Sequence, residues 1–139
     1  MNIVDFYDEE FRATGTYSNF IKDNPLKAML NIRASGASIA VPVSGVRIIV
    51  SKNIDNYKVI FYDGLTDISG MINKIALPTP AITPNDLDVP NGTSYDIEAI
   101  YEKDNINRKY EVMMYPDIYT VQNINIVPTL NVGGFFYGS

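Results

Sequence analysis

The sequence predicts an all-β protein: a single seven-stranded antiparallel sandwich with an arm at each end. Short runs in which apolar or aromatic residues alternate with polar ones are typical of strands that are buried on one face. Turn-forming residues separate these runs, as in residues 66–70 (TDISG), which we interpret as a hairpin between two strands. A chain of 139 residues suits one domain with a self-supporting core.

The composition narrows the classes of function. The chain has no cysteine and no histidine, which rules out disulfides, thiolate metal sites and every nucleophile that depends on histidine. The net charge is -5, and the basic residues are spread along the chain. We therefore expect no enzymatic activity, no cofactor and no metal, and neither nucleic acid nor membrane as a partner.

Residues 1–26 differ from the rest of the chain and are predicted to form an N-terminal arm. They are rich in charge and aromatic residues, including Phe6, Tyr7 and Phe11, and lack a sustained period of two. A short helix is expected over residues 5–13, with acidic residues near its start. These aromatic residues either fold back on the domain or contact a neighbouring subunit. The acidic start does not resemble a signal peptide, so synthesis in the cytoplasm is expected.

Residues 27–130 are predicted to form the sandwich. Its expected strands are residues 27–34, 46–50, 57–62, 71–77, 95–101, 108–114 and 119–127, the last two forming a closing pair. A proline-rich loop crosses one end, since proline withholds a ladder donor. Residues 131–139 form a glycine-rich C-terminal tail that carries Phe135, Phe136 and Tyr137, a second candidate for contact with other subunits.

The order of these segments resembles the carboxypeptidase regulatory-like domain, a prealbumin-like, Ig-like sandwich. The resemblance is carried by residues 42–48 (PVSGVRI), 66–70 (TDISG) and 95–97 (YDI). Residues 115–128 (YPDIYTVQNINIVP) are similar to the end of the versions found in clostridial spore, cell-wall and prophage-tail proteins. The resemblance implies a non-catalytic module.

An intramolecular isopeptide bond is one chemical hypothesis, because sandwiches of this kind in surface adhesins join a lysine of the first strand to an asparagine of the last. Lys27, Glu98 and either Asn123 or Asn125 occupy matching predicted strands. The reaction needs a desolvated amine and a protonated carboxyl group. In the alternative interpretation, Lys27 is solvated and Glu98 points outward.

Oxygen ligands for calcium are available in the proline-rich loop at Asn85, Asp86 and Asp88, although alternate carboxylates in such a loop usually only solvate it.

Asp63 and Asp67 suggest the carboxylate pair of a glycoside hydrolase, but turn formation also explains them. Residues 91–93 (NGT) match a glycosylation acceptor and also make a good turn.

The sequence thus predicts a non-enzymatic structural subunit of a phage tail or phage-tail-like particle, docked to other structural proteins through its arms and strand edges. It would be oligomeric in that assembly and located in a virion or a bacteriocin-like particle. The alternatives are a cell-wall or carbohydrate-binding module with tyrosines that stack on sugar rings, and a surface adhesin unit.

Overall fold

Two β-sheets face each other in the computed structural model, which describes residues 1–36, 41–82 and 91–127. The strands are β1 Asn2–Asp5, β2 Leu26–Ser35, β3 Arg47–Ile54, β4 Tyr57–Leu65, β5 Met71–Thr79, β6 Thr93–Tyr101, β7 Ile106–Met114 and β8 Tyr119–Asn125. Two helices, α1 (Glu9–Arg12) and α2 (Gly15–Asp23), lie between β1 and β2, and a 3-10 turn (Glu102–Asp104) joins β6 to β7. In this part of the chain no helix has the length and apolar character needed to cross a membrane.

The sheets confirm an all-β sandwich but correct its predicted strand count and pairing. One sheet has five strands in the order β1-β4-β3-β6-β7 and the other has three in the order β5-β2-β8. The seven predicted strands correspond to β2 to β8, and β1 is an eighth that was assigned to the arm. Two neighbouring pairs, β1 with β4 and β2 with β8, are parallel, so both sheets are mixed instead of antiparallel.

The turn at residues 66–70 connects the two sheets, so the prediction of a hairpin there is wrong. The strands on either side, β4 and β5, belong to different sheets. Thr66 fixes the crossing because its hydroxyl accepts from the Val46 N–H at 3.0 Å and donates to the Val43 carbonyl at 2.9 Å. Gly70 has φ of 73°, and a Cβ built on it would lie 2.5 Å from the Ala34 carbonyl oxygen. Only glycine fits both that backbone conformation and that space.

The predicted closing pair is also split between the sheets. β7 pairs with β6, whereas β8 runs parallel to β2. Side chains of β7 nevertheless reach β8: the Tyr110 hydroxyl accepts from the Asn125 N–H at 3.3 Å, and Arg108 donates to the Val127 carbonyl at 2.6 Å. The two sheets are therefore joined along this side by side-chain hydrogen bonds instead of a ladder.

The N-terminal segment belongs to the core, which corrects the prediction of an arm. Phe6 and Phe11 are only 5% and 2% exposed. Phe6 stacks on Phe61 of β4 with ring centroids 4.6 Å apart, and Phe11 meets Tyr57 edge-on at 5.2 Å. The five-stranded sheet is wider than the sheet that faces it, and α1 and α2 supply the apolar cover for β4. Burial of each phenylalanine contributes about 1.5–3 kcal/mol.

The predicted helix at residues 5–13 is confirmed over Glu9–Arg12 and is shorter than expected. The Asp8 side chain accepts from the Glu10 N–H and caps α1, which ends after one turn at Arg12. The second helix, α2, was not predicted. It begins after Thr14, whose hydroxyl accepts from the Tyr17 N–H, and Asn24, which caps its C-terminal end, accepts a hydrogen bond from the Thr93 hydroxyl of β6.

Candidate interaction surface

The aromatic residues predicted to contact other subunits lie in different environments. Phe6 and Phe11 are buried within the protein and are not available to a partner. Tyr7 lies between β1 and α1 and is 58% exposed. Phe135, Phe136 and Tyr137 lie outside the residues that the structure describes. Of the six predicted contact residues, Tyr7 is thus the one that the described structure places at the surface.

The structure does not bring the predicted isopeptide residues together. Lys27 and Arg33 lie on the outer face of β2, and Asn123 of β8 is opposite Arg33. Six residues of strand therefore separate Lys27 from Asn123, a distance of about 20 Å, and Asn125 is farther along β8. Glu98 lies in the other sheet and accepts from the Asn107 amide at 3.0 Å. The three groups cannot react, so the isopeptide hypothesis is wrong.

The two carboxylates considered for glycoside hydrolysis have structural partners. Arg47 donates two hydrogen bonds to Asp63, at 2.9 and 2.7 Å, and this contact lowers the pKa of the Asp63 carboxyl group. Asp67 accepts from the backbone N–H groups of Ser69 and Met71, both at 2.9 Å, and so shapes the turn between the sheets. Neither carboxylate is arranged as an acid or base for catalysis.

Of the remaining candidate motifs, one is described by the structure and the other is not. Thr93 of the glycosylation motif is buried and donates its hydroxyl proton to Asn24, so its role in the structure is to hold α2 against β6. The proposed calcium ligands Asn85, Asp86 and Asp88 lie outside the described residues. Across residues 1–36, 41–82 and 91–127, no group of three or more histidine, cysteine, aspartate or glutamate side chains is placed to hold a metal ion.

The outer face of the three-stranded sheet exposes a group of apolar side chains that the sequence analysis did not single out. Ile118, Tyr119 and Val121 are 50%, 68% and 55% exposed, and half-buried Met29 of β2 lies opposite Tyr119. We call Met29, Ile118, Tyr119 and Val121 the β8 surface. Alternation in residues 119–125 predicted the strand, but it did not reveal that the apolar residues Tyr119 and Val121 point away from the core.

The first half of β8, which carries Tyr119 and Val121, has unpaired backbone groups along its outer edge in the described structure. Asn125 directs its N–H to Tyr110 of β7, whereas Ile126 directs its N–H to Ser35 of β2. In a parallel ladder, alternate residues point their backbone groups to opposite sides. The backbone N–H and C=O groups of Tyr119 and Val121 therefore point away from β2. In the part of the chain that the structure describes, these N–H and C=O groups have no hydrogen-bond partner. Along the first half of β8, no other described strand pairs with this edge.

The cleft beside the β8 surface is small. A cleft of about 210 Å³ lies between Lys27, Met29, Ile118 and Tyr119. It is smaller than the 300–1,000 Å³ typical of small-molecule sites.

A wider cleft of about 650 Å³ lies on the outer face of the five-stranded sheet. Charged residues of β6 and β7 face each other there: Asp96 is opposite Glu111, and Glu98 is opposite Lys109. The volume of this cleft is in the range of small-molecule sites, but such sites are lined mainly by apolar side chains and this one is lined largely by charged and polar ones.

The outer face around the β8 surface carries positive charge. β2, β5 and β8 contain no aspartate or glutamate, and they supply the exposed basic residues Lys27, Arg33 and Lys74. Lys74 lies beside the face because its backbone N–H donates to the Asn31 side chain at 2.7 Å. The bordering acid, Asp117, lies in the turn before β8, where its N–H donates to the Lys27 carbonyl at 3.3 Å.

Comparison with known proteins gives little guidance. No protein-family model and no curated protein matches this sequence. Among solved structures, the chain is similar to the dioxygenase domain of a dioxygenase carbohydrate-binding protein fusion from the cellulolytic bacterium Streptomyces sp. SirexAA-E. The identity is 7%, the match covers 93% of this chain and 91% of that chain, and the TM-score is 0.48. A likeness at this level assigns neither a function nor a site to the protein.

Proposed function

We propose that this protein is a non-enzymatic structural subunit of a phage tail or phage-tail-like particle and that it docks to neighbouring structural proteins through the β8 surface. One observation carries the proposal: three large apolar side chains, Ile118, Tyr119 and Val121, are exposed beside an open strand edge. Soluble proteins usually protect such an edge with charge, proline or a covering loop. An unprotected apolar edge is typical of a surface that a partner covers.

The way β8 is protected supports this interpretation. Arg108 and Tyr110 of β7 cover the backbone of Val127 and Asn125, so the second half of the strand is closed to pairing. The first half, with Tyr119 and Val121, has no such cover among the described residues. A partner segment that added a strand here would gain main-chain hydrogen bonds, and its side chains would contact the β8 surface. Each exposed apolar side chain that it buried would contribute about 1.5–3 kcal/mol.

The finer fold assignment is part of the same proposal. Each quoted segment that resembles the carboxypeptidase regulatory-like domain contains or borders a strand of the structure, and this correspondence supports a prealbumin-like relationship. The resemblance includes versions in prophage-tail proteins, which is the reason for naming a tail particle. The lack of histidine and cysteine supports a non-catalytic role.

A protein partner fits the β8 surface better than a glycan. A polysaccharide that binds by stacking presents several sugar rings in a row, which favours a surface with several exposed aromatic side chains. The exposed tyrosines of the described chain, Tyr7 and Tyr119, lie on separate elements, and the cleft beside Tyr119 is lined by Lys27, Met29, Asp117 and Ile118. Retention on peptidoglycan that was lost with Tyr119→Ala would favour the carbohydrate-binding alternative and would contradict the proposal.

The test compares a double variant of the β8 surface, Tyr119→Ala with Val121→Lys, with the wild type in the producing strain after particle release is induced. The matched control is Ile68→Lys, which replaces an apolar residue that is 89% exposed in the turn between the sheets. Circular dichroism and urea unfolding of the purified proteins check that each variant is folded.

We expect the wild type and the control in purified particles, and the folded double variant to be absent from them. The proposal fails if the wild type does not co-purify with particles, or if the double variant is incorporated as well as the wild type.

A further inference from the structure

We propose that the outer face of the three-stranded sheet binds a second copy of this chain, through the connection between β1 and α1 at residues 5–10. This inference rests on the proposed function, because it names a partner for the same surface. It predicts that the subunit enters its assembly as a symmetric pair.

The receiving face has an apolar side and a basic side. Tyr119 and Val121 of β8 and Met29 of β2 form the apolar side, and the exposed Lys27 and Arg33 of β2 and Lys74 of β5 form the basic side. In the described part of the chain, the ion pair that forms is Arg47 with Asp63, so none of these three basic side chains has an acidic partner among the described residues. Asp117 is the described acid that lines the cleft beside Lys27 and Tyr119, so the exposed cations outnumber it on this face although the net charge of the chain is -5. The face therefore favours a segment that is both acidic and apolar.

Residues 5–10 (DFYDEE) have this chemistry. They carry four acidic side chains, those of Asp5, Asp8, Glu9 and Glu10, all of them exposed. Tyr7 lies in the middle of this acidic group and is 58% exposed, while Phe6 beside it is anchored in the core. The segment thus presents one aromatic ring within a group of carboxylates, which complements a face where apolar side chains lie beside exposed cations.

The acidic connection is already ordered in the single molecule. Asp5 accepts from the Tyr7 N–H at 2.8 Å, and Asp8 accepts from the Glu10 N–H at 3.1 Å. The Arg12 guanidinium lies 5.0 Å from the centre of the Tyr7 ring. Because these contacts fix the backbone and the ring before association, binding would lose little conformational entropy.

The positions of the two regions favour a two-fold arrangement. A cleft of about 200 Å³ runs from Tyr7 past Ala76 to Lys27, and the cleft beside Tyr119 begins at the same lysine. The acidic connection and the basic face therefore border the same side of the molecule. Two copies related by a two-fold axis can each place residues 5–10 on the other's basic face, so the contact forms twice.

Sedimentation velocity of the full chain over a wide range of concentrations tests the proposal by charge reversal. One variant carries Glu9→Lys and Glu10→Lys, a second carries Lys27→Glu and Lys74→Glu, and a third combines all four substitutions. The charge-matched control is Lys103→Glu with Lys109→Glu, which reverses two exposed lysines on β7 and the turn before it. Circular dichroism and urea midpoints verify that every variant is folded.

We expect the wild type to form dimers that dissociate as salt is raised. Each single-sided reversal should weaken the dimer at least about tenfold, because like charges then face each other, and the combined variant should recover the association. The control should dimerise like the wild type.

A wild type that stays monomeric, a combined variant that does not recover, or a control that is equally impaired would each overturn the inference. Failure here is distinct from failure of the proposed function. If the wild type is monomeric but Tyr119→Ala with Val121→Lys is still absent from particles, the β8 surface binds a different structural protein. If that double variant is incorporated normally, the proposed function itself fails, whatever the state of association.

Discussion

Phe6 stacks on Phe61 with an angle of 29° between the two rings, and this contact makes the N-terminal segment part of the sandwich core. Phe20 of α2 packs against the same ring with centroids 5.9 Å apart, so both β1 and the helices depend on β4. The parallel pairing of β1 with β4 brings Phe6 to this position, and the Phe6 N–H donates to the Ile60 carbonyl at 2.8 Å. Residues 1–23 should therefore unfold together with the sheets.

Replacement of Phe6 tests this cooperativity. We expect Phe6→Ala to lower the free energy of unfolding by about 3–5 kcal/mol, because it leaves a cavity against Phe61. Urea unfolding followed by circular dichroism measures the change. Ile3→Ala in the same strand is the control: Ile3 is 70% exposed, so the cost should stay within about 0.5 kcal/mol. An unchanged midpoint for Phe6→Ala would show that the segment is not part of the cooperative unit.

Gly70 is predicted to be irreplaceable in the turn between the sheets. Gly70 has φ of 73°, and a non-glycine residue in this left-handed conformation costs roughly 1–2 kcal/mol. Gly70→Ala should destabilise the protein by more than this, because the new Cβ would also lie 2.5 Å from the Ala34 carbonyl oxygen. Thermal unfolding measures this loss. Gly15→Ala is the matched control, since nothing lies within 4 Å of its Cβ position at the start of α2, and it should be neutral or stabilising by up to about 1 kcal/mol. Equal melting temperatures for the two variants would contradict this account.

The Tyr95 hydroxyl is predicted to stabilise the fold in a way that depends on pH. It is buried and donates to the Pro78 carbonyl across the sandwich, and burial raises the pKa of Tyr95 above its ordinary value. Tyr95→Phe should cost about 1 kcal/mol at pH 7, because the carbonyl loses its donor.

The sign of the pH effect follows from the raised pKa. In the unfolded chain Tyr95 ionises near pH 10, whereas in the folded protein it stays neutral at that pH. The contribution of its hydroxyl to the free energy of unfolding is therefore full below about pH 10, and it decreases above pH 10 because ionisation then favours the unfolded chain. The difference in urea midpoint between wild type and Tyr95→Phe should therefore shrink above pH 10. Tyr119→Phe, at an exposed position, should match the wild type at every pH, and a constant difference for Tyr95→Phe would contradict the prediction.

The Arg47–Asp63 pair should stabilise the protein at neutral pH and lose its effect in acid. The pair lowers the pKa of Asp63 in the folded protein below its value of about 3.9 in the unfolded chain. The contribution of the pair to the free energy of unfolding is therefore complete above about pH 3.9 and disappears as the pH falls through the lower pKa of the folded protein. Asp63→Asn should have a lower urea midpoint than the wild type at pH 7, and the two should converge in acid. High salt at pH 7 should also reduce the difference in urea midpoint between the wild type and Asp63→Asn, because salt screens an exposed ion pair. Asp104→Asn is an exposed control, and a pH-independent deficit for Asp63→Asn would refute the assignment.

Local sequence patterns were sufficient to locate β2 to β8. The alternation of apolar and polar residues along each of β2 to β8 is a property of the segment itself, because neighbouring side chains point to opposite faces. The four residues of β1 are too short to show it, and Phe6 gives no indication in the sequence of whether it folds back or faces a neighbour. The candidate chemical groups failed for a related reason: alternation placed Lys27 and Glu98 on strands but not in the same sheet.

The sequence by itself determined an all-β domain without histidine or cysteine chemistry, and it determined the residues that turn the chain. Only the tertiary structure decided that residues 66–70 cross between the sheets, that β8 lies parallel to β2, and that Tyr119 and Val121 face outward. The physical reason is that strand pairing joins residues far apart in the chain, as Met29 with Tyr119 does, and its free energy depends on all the strands packed together. A turn or a strand is specified by its own residues, but which side chains form an exposed surface depends on how all the strands of the sheet pair and pack.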